Sequence, residues 1–306
     1  MKLRAFSMLF LAFVLSLVAV SARADNLQGD GNYAVLAESG ITNAPASIGT
    51  QATIINGDIG LSPIAATACT GFVPCDGGPG IVNGTANLTT LSAANAITAF
   101  SGATGSYNSL IATVGAIPEG TGTLGVGSLT SLAPGTYSFT GTVTNLSGTL
   151  TLAGDGKAND TWIFEFLGSD TLTTGTNSSV VVTGAGTGAG VYFVAPQITL
   201  GVDSTVVGNY LSGSSVIFDL GAEVTCGRAF AQTNVTFAGY GTQINEVSSG
   251  GCSAGTGGGS TTGLNGGTGG GSSVPEPGTL GLLSSGLLGI IFLGFRKSRV
   301  SSLRAC

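Results

Sequence analysis

ITLGVDSTVVGNYLSGSSVIFDLGAEVTCGRAFAQTNVTF, residues 198–237, decides the fold. Ile198-Thr199-Leu200 returns as Val216-Ile217-Phe218 after 18 residues and as Val235-Thr236-Phe237 after 19 more. Each triplet is followed by a corner of small residues and then a second β-rich run: STVVGN, EVTCGR and, just past the quoted stretch, TQINEV. A third short run, YLSG or RAFAQ, follows in two of them. A unit of about 20 residues that stacks on copies of itself is the signature of a β-solenoid. Such a scaffold presents flat ladders of side chains rather than a catalytic pocket.

The β pattern extends outward from this stretch. It dominates residues 124–247, with a turn at Pro134-Gly135, an alternating strand in GTLTLAG and a buried run from Trp162 to Phe166. Residues 31–60 also read as strands and turns, and 61–84 as an irregular loop holding Cys69, Pro74, Cys75 and Pro79. The pattern changes at about 86–113. Leu88, Leu91, Ala94, Ile97, Thr98 and Phe100 follow helical spacing, with Thr85 as the expected cap and Gly102 and Gly105 as interruptions. One interrupted helix, or two, is expected to dock on the flank of the solenoid.

Both ends carry addresses. Lys2 and Arg4, the apolar run Ala5–Val20 and Ala22-Arg23-Ala24 read as a secretory signal, so residues 1–24 are set apart from a domain at 25–249. Residues 250–273 are rich in Gly, Ser and Thr and read as a linker. Pro275-Glu276-Pro277 then precedes an apolar stretch, 278–295, just long enough to span hydrocarbon, and a basic end with Arg296, Lys297, Arg299 and Arg304. This tail, 274–306, closely resembles the PEP-CTERM sorting tail of Gram-negative bacteria. The resemblance implies membrane anchoring before processing, an exosortase-type enzyme as partner, and delivery to the cell surface or its matrix.

Charge and cysteine content narrow the function. Residues 25–273 hold 2 basic and 14 acidic side chains, a balance of −12 that repels phosphate backbones and excludes nucleic acid as a partner. Five cysteines fit an oxidising compartment. Cys69 and Cys75 are placed to close one loop, and Cys226 and Cys252 to tie the last coils to the linker, although spacing alone does not fix the connectivity. The chain has no histidine, so clustered metal ligation is not expected, and neither is a cofactor. Gly251-Cys252-Ser253-Ala254-Gly255 spells a nucleophile elbow but lies in the linker with no histidine to serve as base. Gly120-Thr121-Gly122-Thr123-Leu124-Gly125 spells a dinucleotide fingerprint without the flanking strand and helix. The remaining acids are scattered at corners rather than gathered in a groove. No enzyme is expected.

Five segments carry a family likeness: GNYAVLAESGITN (31–43), INGDIGLSP (55–63), LAPGTYSFTG (132–141), GTLTLAGDGKANDTWIFEF (148–166) and VVGNYLSGSSVIFDLGAEVTCGRAFAQTNVTF (206–237). In this order they closely resemble the microbial ice-binding proteins. The resemblance implies a mostly β fold: a right-handed, discontinuous β-solenoid of triangular section with a long helix alongside. It also implies a monomer whose partner is an ice crystal surface. The alternative is a structural or adhesive matrix protein that keeps the fold without an ice face.

One face in the family often carries the pattern Thr-Gly/Ala-x-Thr/Asn. Thr174-Gly175-Thr176-Asn177 matches it, followed by Ser179. Corresponding runs place Thr205, Thr225 and Gln243 on the same expected face, and the N-terminal coil adds Thr53 and Asn56. Asp203 and Glu223 depart from the pattern, because a carboxylate holds its own hydration shell. A second candidate face has Thr173, Thr199, Ile217 and Thr236 pointing out, with Thr151 extending it. Threonine suits either role: it is β-branched, stiff at χ1, and carries one methyl and one hydroxyl.

Overall fold

Each turn of the chain lays a short strand on each of three faces, and every pairing between turns is parallel. The structure is a computed structural model. It describes residues 33–44, 52–111, 116–120, 122–141, 143–157, 160–186, 189–238 and 243–245, all within the compact unit Ala24–Gly270. The expected signal segment, the linker, the sorting tail with its apolar stretch, and Cys252 lie outside the described residues.

The first face is built from Thr123–Leu124, Thr144–Leu146, Leu172–Thr174, Ile198–Leu200, Val216–Phe218, Asn234–Phe237, Gly40–Asn43 and Cys69–Thr70, in that spatial order. The three repeating triplets are its central strands. The order also shows the discontinuity implied by the resemblance: Gly40–Asn43 from the N-terminal segment pairs with Asn234–Phe237 near the other end of the domain. Val35–Ala37 likewise pairs with Ala229–Ala231, and Ile54–Asn56 with Gln243–Asn245.

The other two faces form one continuous sheet, because two long strands, Thr205–Ser212 and Glu223–Ala231, bend from one face to the next without a loop. Both bend at glycine: Gly208 has φ 118° and Gly227 has φ 151°. The two are paired, and a Cβ at Gly227 would lie 1.8 Å from the Gly208 carbonyl oxygen. No other residue type fits so close an approach.

The third face is covered by two helices, α1 (Leu91–Ser101) and α2 (Ser106–Ile111). Connectivity explains their place. The strand before them, Ala86–Leu88, lies at one end of the stack, and the strand after them, Ile117–Gly120, at the other. Nine strands, these two included, line this face, so the chain must return over eight spacings of about 4.8 Å, about 38 Å in all. The return segment buries Ala93, Ala96, Ile97, Phe100, Tyr107 and Leu110 against Tyr33, Leu36, Ile163, Tyr192, Val194, Leu211 and Phe230. Phe100 meets Phe230 edge-on at 5.6 Å.

The helix begins later than its sequence pattern suggests. Residues 86–88 are a strand paired with Ile59–Leu61, and the Thr85 amide donates to Asp58 Oδ1 at 2.7 Å instead of starting a helix. Thr89, at φ 61°, turns the chain, and the Thr90 hydroxyl caps α1 by accepting from the Ala93 amide at 3.1 Å. Leu88 fits either period, and parallel pairing decides in favour of the strand. The tight geometry of the break requires glycine: a Cβ on Gly105 would lie 2.5 Å from the Phe100 carbonyl oxygen.

Inside, equivalent residues of successive coils stack. Tyr137, Phe164, Phe193 and Tyr210 follow one another at 5.6, 4.7 and 4.9 Å with rings 17°, 9° and 2° from parallel. Phe218 and Phe237 stack at 4.7 Å, and Trp162 donates its indole N–H to the Leu132 carbonyl at 3.0 Å. Within the run 162–166, Trp162, Phe164 and Phe166 enter this core, while Ile163 packs under the helices.

Acidic side chains serve the corners. Asp170 Oδ2 accepts from the Thr144 hydroxyl at 2.6 Å and the Gly141 amide at 3.2 Å, and Asp160 Oδ2 accepts from the Gly186 amide at 3.3 Å. Asp76 accepts from the Gly71 and Gly78 amides at 2.8 and 3.2 Å, and the Gly71 amide holds its carboxyl below the ordinary value. The Asp76 loop is closed by a Cys69–Cys75 disulfide with Cα atoms 5.5 Å apart. Cys226 is also disulfide-bonded.

A threonine ladder on the first face

Strands of three residues alternate in–out–in, so the middle residue of each points to solvent. On the first face the outward residue of each strand is held in register from end to end. Thr123 lies beside Asn145, Asn145 beside Thr173, Thr173 beside Thr199, and Thr199 beside Ile217. The line continues through Thr236, Thr42 and Thr70. Six of these eight positions are threonine. Asn145 is exposed and the other seven are half-buried, the exposure expected of a flat surface whose neighbours flank each side chain. Thr42 Oγ1 donates to Thr236 Oγ1 at 3.2 Å, so hydroxyls of adjacent coils are in hydrogen-bonding reach.

The inward neighbours make this face rigid. Leu146, Leu172, Ile198, Leu200, Val216, Phe218, Val235, Phe237 and Ile41 are essentially without solvent exposure. Parallel strands repeat at about 4.8 Å, and β-branched side chains keep one χ1, so methyls and hydroxyls recur at a fixed interval. Ile217 keeps the branch methyl and carries an ethyl arm where threonine has its hydroxyl. All eight ladder positions are uncharged; the carboxylates of Asp76, Asp170 and Asp219 sit beside the ladder at the corners, not in it.

The second face, expected from the Thr-Gly-Thr-Asn pattern, is less regular. Thr174 is 2% exposed and its hydroxyl accepts from the Gly201 amide at 2.6 Å, so it is a corner fastener inside the coil. Thr53 is fully buried and donates to Asn43 Oδ1 at 2.7 Å. Neither reaches the surface, because both fall on the inward side of the alternation. Thr176 and Asn177 are exposed at the corner between the two faces. Asn177 has φ 55°, and the same coil position is taken by Asp203 at φ 53° and Gly221 at φ 71°. The asparagine in the pattern is therefore a left-handed corner residue, a conformation Asn, Asp and Gly adopt at least cost.

The outward lane of this second face runs Thr149, Ser179, Thr205 and Glu223, and the register continues through position 243 to Ile54 and Ile81. A carboxylate stands in its middle and hydrocarbon at one end. Thr225 lies at a bulge, where the register shifts, and donates to the Val206 carbonyl at 3.3 Å. Asn56 accepts from Asn83 Nδ2 at 2.7 Å. Thr151 also belongs here, between Ser131 and Val181; it does not extend the threonine ladder, where Asn145 holds the corresponding position. Sequence reasoning missed Thr42, Thr70, Thr123 and Asn145. The in–out–in triplet Thr144-Asn145-Leu146 carries a local signal for Asn145, while Thr42 and Thr70 join the ladder only through the discontinuous stacking.

Fold and face together define a β-solenoid with a long, uncharged threonine ladder and a helix-covered back. The chain belongs to the ice-binding-like family, which its residues 35–242 match. Residues 273–299 match the PEP-CTERM protein-sorting motif, which marks sorting to the bacterial surface or exterior. The chain is similar to an ice-binding protein of Nostoc sp. (strain HG1), 34% identical over 296 residues, covering 94% of this chain and 95% of that one. It is 29% identical over 234 residues to an ice-binding protein of Flavobacterium frigoris (strain PS1), covering 72% and 75%. Among solved structures, an ice-binding protein of Antarctomyces psychrotrophicus superposes with a TM-score of 0.58 at 25% identity, covering 71% of this chain and 96% of that one.

Proposed function

We propose that this protein binds ice, and that it adsorbs through the first face: Thr42, Thr70, Thr123, Asn145, Thr173, Thr199, Ile217 and Thr236. The observation that carries the reading is the unbroken, uncharged register of these eight positions. Each position offers one weak contact, and a rigid repeat adds many of them on a crystalline surface. The reaction needs no acid, base, metal or cofactor; the surface only has to hold waters near lattice positions. The alternative, a structural or adhesive matrix protein without an ice face, is not favoured by relatives that are ice-binding proteins. The test is partition of the purified full-length chain into slowly growing ice. Enrichment in the ice fraction and faceting of seed crystals are expected; a chain left in the liquid with rounded crystals would overturn the reading.

The same proposal covers the ends of the chain. Residues 1–24 direct export, and the tail around Pro275-Glu276-Pro277 holds the protein in the membrane until an exosortase-type enzyme removes it, leaving a monomer at the surface of a Gram-negative cell. A linker at 250–273 then gives the domain reach toward an ice front. Mass spectrometry of the native surface protein is expected to find no peptide from Arg296–Cys306. Recovery of that peptide in the mature protein would refute processing.

A further inference from the structure

We propose that Glu223 is a specificity-determining residue: it confines ice adsorption to the first face by interrupting a second hydroxyl face that adjoins it. The inference rests on ice binding by the threonine ladder. On the adjoining face, Thr149, Ser179 and Thr205 are neighbours in one outward lane, and Ser131, Thr151 and Val181 in the next. All six are exposed or half-buried. Thr149 and Ser179 hydroxyls stand 2.8 Å apart, as close as adjacent hydroxyls of an ordered array. This part of the face is two lanes wide, uncharged, and made of hydroxyls and branch methyls.

Glu223 is the next position in the first of these lanes, beside Thr205. Among the described residues of the two lanes it is the one charged group. A carboxylate binds water strongly and in its own geometry, and pressing it against a lattice that offers no counter-charge costs desolvation. Its position matters more than its presence. It stands mid-lane, so the uncharged stretch from Thr149 to Thr205 ends there, well short of the eight-strand run on the first face. The backbone beneath Glu223 is regular, with Val224 fully buried on the opposite side, so a threonine there would continue the lane without rebuilding the coil. The two faces meet at the corner column of Asn177, Asp203 and Gly221 and are not coplanar, so each would engage a different set of ice planes.

The experiment uses fluorescently labelled full-length chain on a single-crystal ice hemisphere. The unmodified chain is expected to label one set of planes. Glu223→Thr is expected to keep that set and add a second. In a chain also carrying Thr199→Lys and Thr236→Lys, Glu223→Thr is expected to label the second set alone. If Glu223→Thr, folded by circular dichroism, labels the same planes as the unmodified chain, the proposal is overturned. It is equally overturned if the unmodified chain already labels two sets and Thr205→Lys erases one. An unmodified chain that labels no plane would instead defeat the ice-binding reading, and that outcome is read before any change at Glu223 is made.

Discussion

Replacing Thr199 and Thr236 together by lysine is expected to remove most ice adsorption while leaving the fold intact. The two flank Ile217 at the centre of the eight-position ladder. Each change exchanges a stiff methyl–hydroxyl pair for a long, hydrated ammonium that stands above the plane of the face. Contact is then lost at the altered positions and at neighbours that cannot approach the lattice past them. A fall of at least about tenfold in ice-bound protein corresponds to about 1.4 kcal/mol of adsorption free energy. Stability should change by only about 0.5 kcal/mol per site, as for ordinary surface substitutions, because the core beneath is held by Ile198, Leu200, Val235 and Phe237, all fully buried. The same pair of changes at Thr149 and Thr205 on the adjoining face is the control and should leave ice partition nearly unchanged. Equal losses at both pairs would remove the assignment of the first face.

Gly227→Ala is expected to be the most destabilising of the small substitutions in the domain. Its Cβ would fall 1.8 Å from the Gly208 carbonyl oxygen, on a backbone at φ 151°. Here the obstacle is backbone, so no rotamer change relieves it. The sheet must open between Thr205–Ser212 and Glu223–Ala231, where the two longest strands turn from one face to the next. Backbone strain and overpacking together put the cost at about 3 kcal/mol or more. Urea denaturation of the two proteins in parallel measures it; a difference below about 1 kcal/mol would show that the bend tolerates a side chain.

Much of this was legible without coordinates because a solenoid repeats its local rules. The triplets at 198, 216 and 235 alternate in–out–in, and that alternation alone sets Thr199, Ile217 and Thr236 outward above a hydrophobic core. The helical spacing of Ile97 and Phe100 likewise survives in the structure as the buried side of α1. Local pattern misled where two roles look alike in sequence. Thr174 and Thr53 have the composition of a surface threonine, but each is a corner hydroxyl that satisfies a partner inside the coil. The Asn of Thr-Gly-Thr-Asn resembles a ligand-facing residue, yet its positive φ accounts for its presence. Leu88 fits the helix period and is nonetheless a strand residue, because Leu61 lies beside it.

The sequence by itself determined the repeat, the inward residues and the helical spacing, since all of these follow from periodicity. Spacing alone grouped Thr173, Thr199, Ile217 and Thr236, and only the tertiary structure decided which further residues share their face. Thr42 and Thr70 come from the N-terminal segment, and they stand in line with Thr236 because that segment stacks on the far end of the coils. Thr151 falls on the neighbouring face because its strand follows the corner at Gly148 rather than preceding it. The ladder joins residues about 20 positions apart, which the repeat spacing reveals, to residues nearly 200 positions apart, which only the hydrogen-bonded register between coils brings together.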